Sequence, residues 1–262
     1  MDKNQIKQQV KELLDADTAS LNMEIPIALG KTEDGRICYK DLTRLHHLLI
    51  AGATGQGKTS CLNGIIASMG RKKRHIRDEL ILISAKGNIE LCCPPYAEVP
   101  ETNPWDIIYT LEKLNKEMEL RYKFFKTENA SSLEEYDNKF EDDLTFGRIV
   151  VIIDDYDHLI LLPSYKRYKL EDLIVELSLF GHRAGIHLII ATQRVTSNII
   201  TGRIKANFPA RIAFRVASIY DSRVILDKGG AENLDSVGKL IFNHNNVFLH
   251  LQGFCIDINK TQ

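Results

Sequence analysis

A glycine-rich stretch from residue 52 to residue 59 carries the residues best suited to chemistry. It has the sequence Gly-Ala-Thr-Gly-Gln-Gly-Lys-Thr, which fits the pattern G-x-x-x-x-G-K-T, and the apolar run Leu48-Leu-Ile-Ala51 precedes it. Glycines let the backbone turn tightly and expose successive N–H groups to phosphate oxygens, and a helix beginning at Lys58 would add the positive end of its dipole. The pattern predicts a phosphate-binding loop between a strand and a helix.

Each position of this loop has an expected role in binding ATP and Mg²⁺. Lys58 is expected to reach the β- and γ-phosphates, and the hydroxyl of Thr59 is expected to bind Mg²⁺. A glycine-rich turn without a ligand is the alternative interpretation. The predicted nucleotide-binding residues are Gly52, Ala53, Thr54, Gly55, Gln56, Gly57, Lys58, Thr59 and Ser60.

Two carboxylates follow a second apolar run. The run Ile149-Val-Val-Ile-Ile153 leads directly into Asp154-Asp155. An acid at the carboxyl end of a buried parallel strand faces the crevice where ligands bind, so Asp154 is expected to hold Mg²⁺ and Asp155 to orient the attacking water. The alternative is that the two acids cap the start of a helix.

A polar amide follows a third apolar run. The run Ile186–Thr192 is expected to form a buried strand, and Gln193 comes directly after it. If this strand lies beside the strand that precedes the glycine-rich loop, Gln193 can sense whether phosphate occupies the site. The predicted site therefore combines a loop, an acid pair and an amide from three different strands.

Composition limits the remaining possibilities. The chain has 262 residues, of which 44% are hydrophobic and 26% are charged, and this is enough for one large α/β domain. Its formal charge of −1 gives no global sign of nucleic-acid binding, so any such binding must come from a local patch or from a ring of subunits. Its apolar runs are shorter than the roughly 18 residues that a membrane helix needs.

The N-terminal sequence and the cysteine pattern predict the localisation and the redox state of the cysteines. The first residues lack the basic and then apolar arrangement of a secretory signal, so a cytoplasmic protein is expected, with attachment to the inner face of the membrane left open through domains or partners outside this chain. The five cysteines include no C-x-x-C pair and are expected to be reduced thiols. We expect an N-terminal helix or linker at 1–22 and one domain at 23–262.

The other elements are predicted from periodicity and turn residues. Residues 128–143 are polar and aperiodic and are expected to form a mobile surface loop. The basic run at 71–75 is interpreted as a solvated helix end, with a nucleic-acid patch as the alternative. The predicted helices are 4–16, 104–126 (with Ile107, Ile108, Leu111, Leu114, Met118 and Leu120 inward), 170–180, 196–207 and 220–226, and the other predicted strands are 80–84, 211–216 and two β-hairpins, one at each end of the domain.

Several stretches between about Ile27 and Ile256 together form a recognisable pattern. Two of them, Ala-Thr-Gln-Arg194 and Ile225-Leu-Asp-Lys-Gly-Gly-Ala-Glu232, are far less common than a phosphate-binding loop. The others are Ile27-Ala-Leu-Gly-Lys31, His47-Leu-Leu-Ile-Ala-Gly52, Ala184-Gly-Ile-His-Leu-Ile-Ile-Ala191, Ile200-Thr-Gly-Arg-Ile-Lys-Ala-Asn207, Arg211-Ile-Ala-Phe214 and Asp221-Ser-Arg223. With these stretches the chain resembles the motor domain of the FtsK/SpoIIIE DNA translocases.

The resemblance implies an α/β fold of the RecA-like P-loop NTPase type, with a central, mostly parallel sheet flanked by helices and β-hairpins at its N- and C-terminal edges. It also implies a homo-hexameric ring that moves double-stranded DNA with ATP and Mg²⁺. The family's DNA-facing basic positions fall on Arg194, Lys205 and Arg223, and a further one falls on Ile219, which cannot pair with phosphate. An ion pair with Asp221 or Asp227 is the alternative role of Arg223.

Besides Ile219, three features depart from the family pattern. Asp155 replaces a glutamate, which shortens the acid expected to position water. The family's trans-acting arginine aligns with His182, so this role is either shifted to Arg183 or absent. Ser84-Ala-Lys86 stands where the family often has an acid, a proline and a lysine. The predicted catalytic residues are Lys58, Asp154, Asp155, Gln193 and Arg183.

Three hypotheses for function remain. The first is an ATP-driven translocase motor for double-stranded DNA, acting in chromosome partitioning or in transfer of a mobile element. The second is an ATP-binding assembly module with attenuated hydrolysis in a secretion or conjugation apparatus, which Asp155 and His182 favour. The third, a small-molecule kinase, is disfavoured because the sequence offers no separate lid or acceptor site.

Overall fold

A computed structural model describes residues 8, 12, 13, 22–69, 78–86, 91, 102–140, 146–159 and 162–256. Within the predicted N-terminal helix only Gln8, Glu12 and Leu13 are described; all three are helical, and Leu13 is buried beside Ala28. The remaining residues of the predicted helix 4–16 and the basic run at 71–75 lie outside the described residues.

One mixed sheet forms the centre of the described chain, with the strand order β2-β1-β9-β8-β7-β3-β6-β5-β4. The strands are β1 Pro26–Lys31, β2 Ile37–Asp41, β3 Leu48–Ala51, β4 Glu79–Ser84, β5 Ile149–Asp154, β6 Ile186–Thr192, β7 Ala210–Phe214, β8 Lys239–His244 and β9 Val247–Gln252. Strands β7, β3, β6, β5 and β4 are parallel neighbours. The predicted fold class is confirmed.

Both predicted hairpins are present, and they adjoin on one side of the parallel strands. Lys31 at the end of β1 pairs with Gln252 at the end of β9, and β8 pairs antiparallel with β7. Asn245 and Asn246 have φ values of 52° and 62°, as a two-residue hairpin turn requires. The hairpins therefore extend the parallel sheet at a single edge.

Helices cover both faces of the sheet, because alternate residues of the buried strands point to opposite sides. In β3, Leu48 and Ile50 pack in one apolar cluster, whereas Leu49 and Ala51 pack in the other. The helices are α1 Leu42–Leu45, α2 Lys58–Met69, α3 Pro104–Thr127, α4 Leu133–Asp137, α5 Tyr156–Leu159, α6 Ser164–Phe180, α7 Gly202–Asn207 and α8 Ile219–Leu226, with 3-10 turns at Gly181–Ala184 and Ala231–Asn233.

The long predicted helix is confirmed as α3, with one error in its inward face. Asn103 caps it by accepting the Trp105 N–H at 3.0 Å. Leu120, predicted to face inward, is 44% exposed, because the buried stripe runs through Met118, Arg121 and Phe125. Because residue 121 is charged, the apolar pattern of the sequence does not show that this position is buried.

The prediction of a mobile loop at 128–143 is wrong for the residues that the structure describes. The hydroxyl of Ser132 caps α4, and Leu133 and Tyr136 on that helix are buried. The Tyr136 ring lies 5.5 Å from the ring of Phe125 and 4.6 Å from that of Phe140. Leu133 and Tyr136 therefore pack this polar segment against the core, together with Phe140.

Two other predictions of helices differ in extent. Helix α6 begins at Ser164, earlier than predicted. Of the predicted helix at 196–207, only Gly202–Asn207 is helical, because the preceding residues form a turn in which the Thr196 carbonyl accepts the N–H groups of Ile199 and Ile200.

A buried arginine joins α3 to two turns at the amino ends of the parallel strands. Arg121 is 3% exposed, and its Nη1 donates to the carbonyl oxygens of Gly147 at 2.8 Å and Ala184 at 2.7 Å. Its Nε donates to Glu117 Oε1 at 2.9 Å. Arg121 therefore positions the segment that leads into β6.

We expect Arg121→Ala to lower the free energy of unfolding by about 3 kcal/mol, because it leaves buried carbonyl groups without a donor. Urea denaturation measures the change. Arg203→Ala is the matched control, since it removes only the exposed ion pair with Asp172 and should cost less than about 1 kcal/mol. Equal losses in the two variants would contradict this role of Arg121.

Candidate nucleotide-binding site

The glycine-rich loop, the acid pair and the amide meet at the carboxyl ends of three adjacent strands. Strand β6 pairs with β3 on one side and with β5 on the other, so the prediction that Gln193 follows a strand beside the loop strand is confirmed. Carboxyl ends of parallel strands form the usual ligand crevice in α/β folds. The strand order therefore brings the three predicted parts together.

The loop has the backbone conformation that its glycines permit. Gly55 and Gly57 have φ values of 76° and 111°, which other residues rarely adopt. A Cβ atom added at Gly52 would lie 2.6 Å from the Cβ of Phe214 on the neighbouring strand, so only glycine fits there. Helix α2 begins at Lys58, as predicted.

Lys58 lies folded back inside the loop. Its Nζ donates to the carbonyl oxygens of Gly52 at 2.9 Å and Ala53 at 3.0 Å. Burial lowers the pKa of Lys58, and the charges of nearby carboxylates partly oppose this shift. A phosphate group entering the loop would offer the ammonium group a charged partner in place of two neutral carbonyls.

The residues predicted to bind Mg²⁺ face each other. Thr59 Oγ1 lies 3.5 Å from Asp154 Oδ2, and Asp154 Oδ1 accepts the backbone N–H of Asp155 at 2.9 Å. A hydroxyl and a carboxylate are hard oxygen ligands of the kind that Mg²⁺ prefers, usually together with water and nucleotide phosphates. The donor set fits this ion.

Hydrogen bonds link the loop, the amide and the second acid. The Thr54 hydroxyl donates to Gln193 Oε1 at 2.8 Å, and Gln193 Nε2 donates to Asp155 Oδ1. Asp155 has a φ of 52°, in the left-handed region that aspartate tolerates better than most residues. The side chains of these three residues form one chain across the crevice.

A further residue of the site, Asp157, has no motif that identifies it in the sequence. It lies on the short helix α5 and is 6% exposed. Its Oδ1 accepts the backbone N–H of Gln193 at 3.1 Å and the hydroxyl of Thr192 at 3.2 Å. Its position three residues after Asp154 is the one signal that could have pointed to it.

Arg183 does not join its own subunit's site. It lies in the 3-10 turn before β6, whereas Gln193 follows β6, so the length of the seven-residue strand, roughly 20 Å, separates them. It borders a cavity of about 590 Å³ that Arg44, Arg148 and His46 also line. Arg183 therefore lies outside the nucleotide site of its own chain.

The neighbouring His182 is partly buried and packs against His46. Its ring stacks on that of His46 with 4.2 Å between the ring centres. Burial, followed by the charges of His46 and Arg183, lowers the pKa of His182 to about 4. His182 is therefore neutral at pH 7 and offers no positive charge in place of an arginine.

The three predicted DNA-facing residues lie in two places. Lys205 Nζ pairs with Asp227 Oδ1 at 2.7 Å and donates to the carbonyl oxygen of Arg223 at 3.1 Å. Asp227 also pairs with Arg211 at 2.5 Å, so Lys205 and Arg211 are its partners among the described residues. Arg194 lies at the carboxyl end of β6, with 69% of its side chain exposed.

No helix in the described part of the chain is long and apolar enough to cross a membrane. Among the described residues, Cys38 and Cys61 are free thiols, as predicted for them.

Comparison with known sequences identifies a family. The FtsK/SpoIIIE family model matches residues 10–197. Among the similar proteins are those described as "DNA translocase FtsK" from Caldanaerobacter subterraneus subsp. tengcongensis, 38% identical over 238 residues, and from Clostridium acetobutylicum, 40% identical over 245 residues. Both matches cover 89% of this chain and 33% and 31% of the relatives, so the chain spans about a third of the length of these curated relatives.

Comparison with solved structures identifies the same fold. The pCW3 conjugation coupling protein TcpA, in its monomer form with ATPγS, has a TM-score of 0.82 and 27% identity, and the match covers 94% of this chain and 70% of that one. The cytoplasmic domain of the Thermomonospora curvata type VII secretion ATPase EccC has a TM-score of 0.76 and 18% identity, over 97% of this chain and 32% of that one. The second likeness concerns the fold alone.

Proposed function

Because the chain belongs to the FtsK/SpoIIIE family, we propose that it is the motor part of an ATP-driven translocase of double-stranded DNA. The observation that carries the proposal is the hydrogen-bonded chain from Thr54 through Gln193 to Asp155. It links the phosphate-binding loop to the acid that positions water, in a family whose similar members are described as DNA translocases. Such a link lets the occupancy of the nucleotide site change the position of β6.

The chemistry assigned to each residue follows from its place. Lys58 and the loop N–H groups bind the phosphates, and Thr59 and Asp154 hold Mg²⁺, which would neutralise charge on the β- and γ-phosphates when bound. Asp155 orients the attacking water. Gln193 senses the γ-phosphate through its contacts with Thr54 and Asp155.

The location of Arg183 supports assembly into a ring, proposed here as a homo-hexamer. In a closed ring every subunit presents its amino-end surface to the next subunit in the same way. Arg183 would then stabilise charge that develops on the neighbour's nucleotide during phosphoryl transfer.

DNA binding is assigned to Arg194, Lys205 and Arg223. Contacts from such side chains to phosphates are independent of base sequence, which suits a protein that moves along DNA and is compatible with a net charge of −1. The likeness to TcpA, described as a conjugation coupling protein, supports transfer of a mobile element as one process for this motor, beside chromosome partitioning.

Movement on DNA is tested with a linear duplex that carries a triplex-forming third strand. We expect the oligomeric protein to displace this strand with ATP and Mg²⁺ and not with ATPγS. Failure to displace it at protein concentrations where oligomers and DNA binding are both measured would contradict the proposal.

An attenuated ATP-binding module is the second candidate, and the short acid Asp155 favours it. We nevertheless expect Asp155→Glu to lower turnover about tenfold, because Gln193 already holds the shorter carboxylate and a longer one is displaced by more than about 1 Å. Steady-state ATPase rates measure the change, with the exposed Asp172→Glu as control. A gain of tenfold or more in Asp155→Glu would favour the attenuated module.

A further inference from the structure

The carboxylate of Asp157 lies between the nucleotide site and a residue assigned to DNA. Its Oδ1 accepts the backbone N–H of Gln193 at 3.1 Å. Its Oδ2 lies 3.9 Å from Nε of Arg194. The Asp157 side chain is 5% exposed and that of Arg194 is 69% exposed, so a buried acid faces an arginine that solvent and ligands can reach.

On the side that faces the nucleotide site, Asp157 holds the backbone N–H of Gln193 in place. The residue whose backbone N–H it holds is the same residue whose side chain contacts Asp155 and Thr54. A shift of the Asp157 carboxylate would therefore move the amide that lies against the water-orienting acid. Contiguous hydrogen-bond networks carry coupling between two sites when their members have two alternative arrangements.

Thr192 contacts both Asp157 and the backbone of Arg194. It is fully buried, and its hydroxyl lies 3.2 Å from Asp157 Oδ1 and 3.3 Å from the carbonyl oxygen of Arg194. Asp157 thus contacts three successive residues at the end of β6. Neither Gln193 nor Arg194 can change its backbone position without changing these contacts.

We propose that Asp157 is a positioning residue that couples phosphate contact at Arg194 to the placement of Gln193. The inference rests on the proposed function, because it takes a DNA phosphate as the ligand of Arg194. A phosphate that binds the guanidinium group competes with Asp157 Oδ2 for the same positive charge. The carboxylate then readjusts around its bonds to Thr192 and Gln193, and the amide moves relative to Asp155.

Asp157→Asn tests the proposal because it keeps one acceptor oxygen for Gln193 and Thr192 and removes the charge that faces Arg194. We expect the ratio of DNA-stimulated to basal ATPase rate to fall about fivefold, with the KM for ATP changed less than kcat. Arg194→Gln should lower the ratio by a similar factor, and Arg194→Lys, which keeps the charge, should lower it less. Asp172→Asn is the control for the chemical change.

The double variant Asp157→Asn, Arg194→Gln distinguishes coupling from two separate effects. If the residues act through each other, its stimulation ratio equals that of either single variant. If the reduction of the stimulation ratio in the double variant instead equals the product of the two single reductions, the coupling is contradicted. The translocase proposal then still stands, provided that the parent chain responds to DNA. A parent chain that does not respond to duplex DNA would overturn both.

Discussion

Replacement of Lys58 by alanine is expected to reduce ATP hydrolysis at least about 100-fold, the scale seen when one preorganised charge-stabilising group is removed. The lysine is held inside the loop by the carbonyl oxygens of Gly52 and Ala53, so its ammonium group is already placed beside the phosphate position. Burial lowers its pKa, which means that burial disfavours the charged form of Lys58, and a bound phosphate would stabilise that form. Steady-state phosphate release measures the effect.

Lys116→Ala is the matched control, since Lys116 lies on the exposed face of α3 and its replacement should leave the rate unchanged. Thermal melting of both variants separates loss of function from loss of fold. A Lys58→Ala variant that keeps a tenth or more of the parent rate would contradict the assignment of this loop as the catalytic phosphate site.

Replacement of Arg183 by alanine is expected to lower the rate of hydrolysis about 1000-fold, as loss of an arginine that acts on a neighbour's phosphate does. This residue lies at the amino ends of the parallel strands, with its own nucleotide site at the carboxyl ends. The loss should therefore appear only in oligomers, and nucleotide binding by the monomer should be unchanged. Parallel measurements of rate and nucleotide affinity across protein concentration check both parts.

Mixing the two inactive variants provides a sharper test of Arg183. A subunit with Arg183→Ala keeps its loop, and a subunit with Lys58→Ala keeps its arginine, so roughly a quarter of the interfaces in an equal mixture combine two intact halves of a site. Recovery of hydrolysis in the mixture is expected. Hydrolysis by Arg183→Ala alone at the parent rate, or no recovery in mixed oligomers, would contradict action in trans.

The sequence was sufficient for the centre of this fold because its strongest signals are local. Strands β5 and β6 consist mostly of buried apolar residues, and the glycines before Lys58 allow few other conformations. Once these strands are parallel neighbours, the residues at their carboxyl ends must lie together. The placement of Asp154, Asp155 and Gln193 around one crevice follows from that geometry.

Other features depend on tertiary contacts that the local pattern does not encode. Arg121 occupies a buried position on α3 where it donates to the carbonyl oxygens of two distant turns, and Leu120 lies outside this buried stripe. Helix α4 packs on the core through Leu133 and Tyr136 within a polar segment. Asp157 belongs to the site only because β6 ends beside α5.

The rate of ATP hydrolysis with and without duplex DNA, recorded together with the mass of the oligomer, tests the central claim most directly. The account predicts that duplex DNA raises the rate at least about fivefold under conditions where the protein assembles, and that added salt reduces this stimulation. Equal rates with and without DNA in fully assembled oligomers would contradict it.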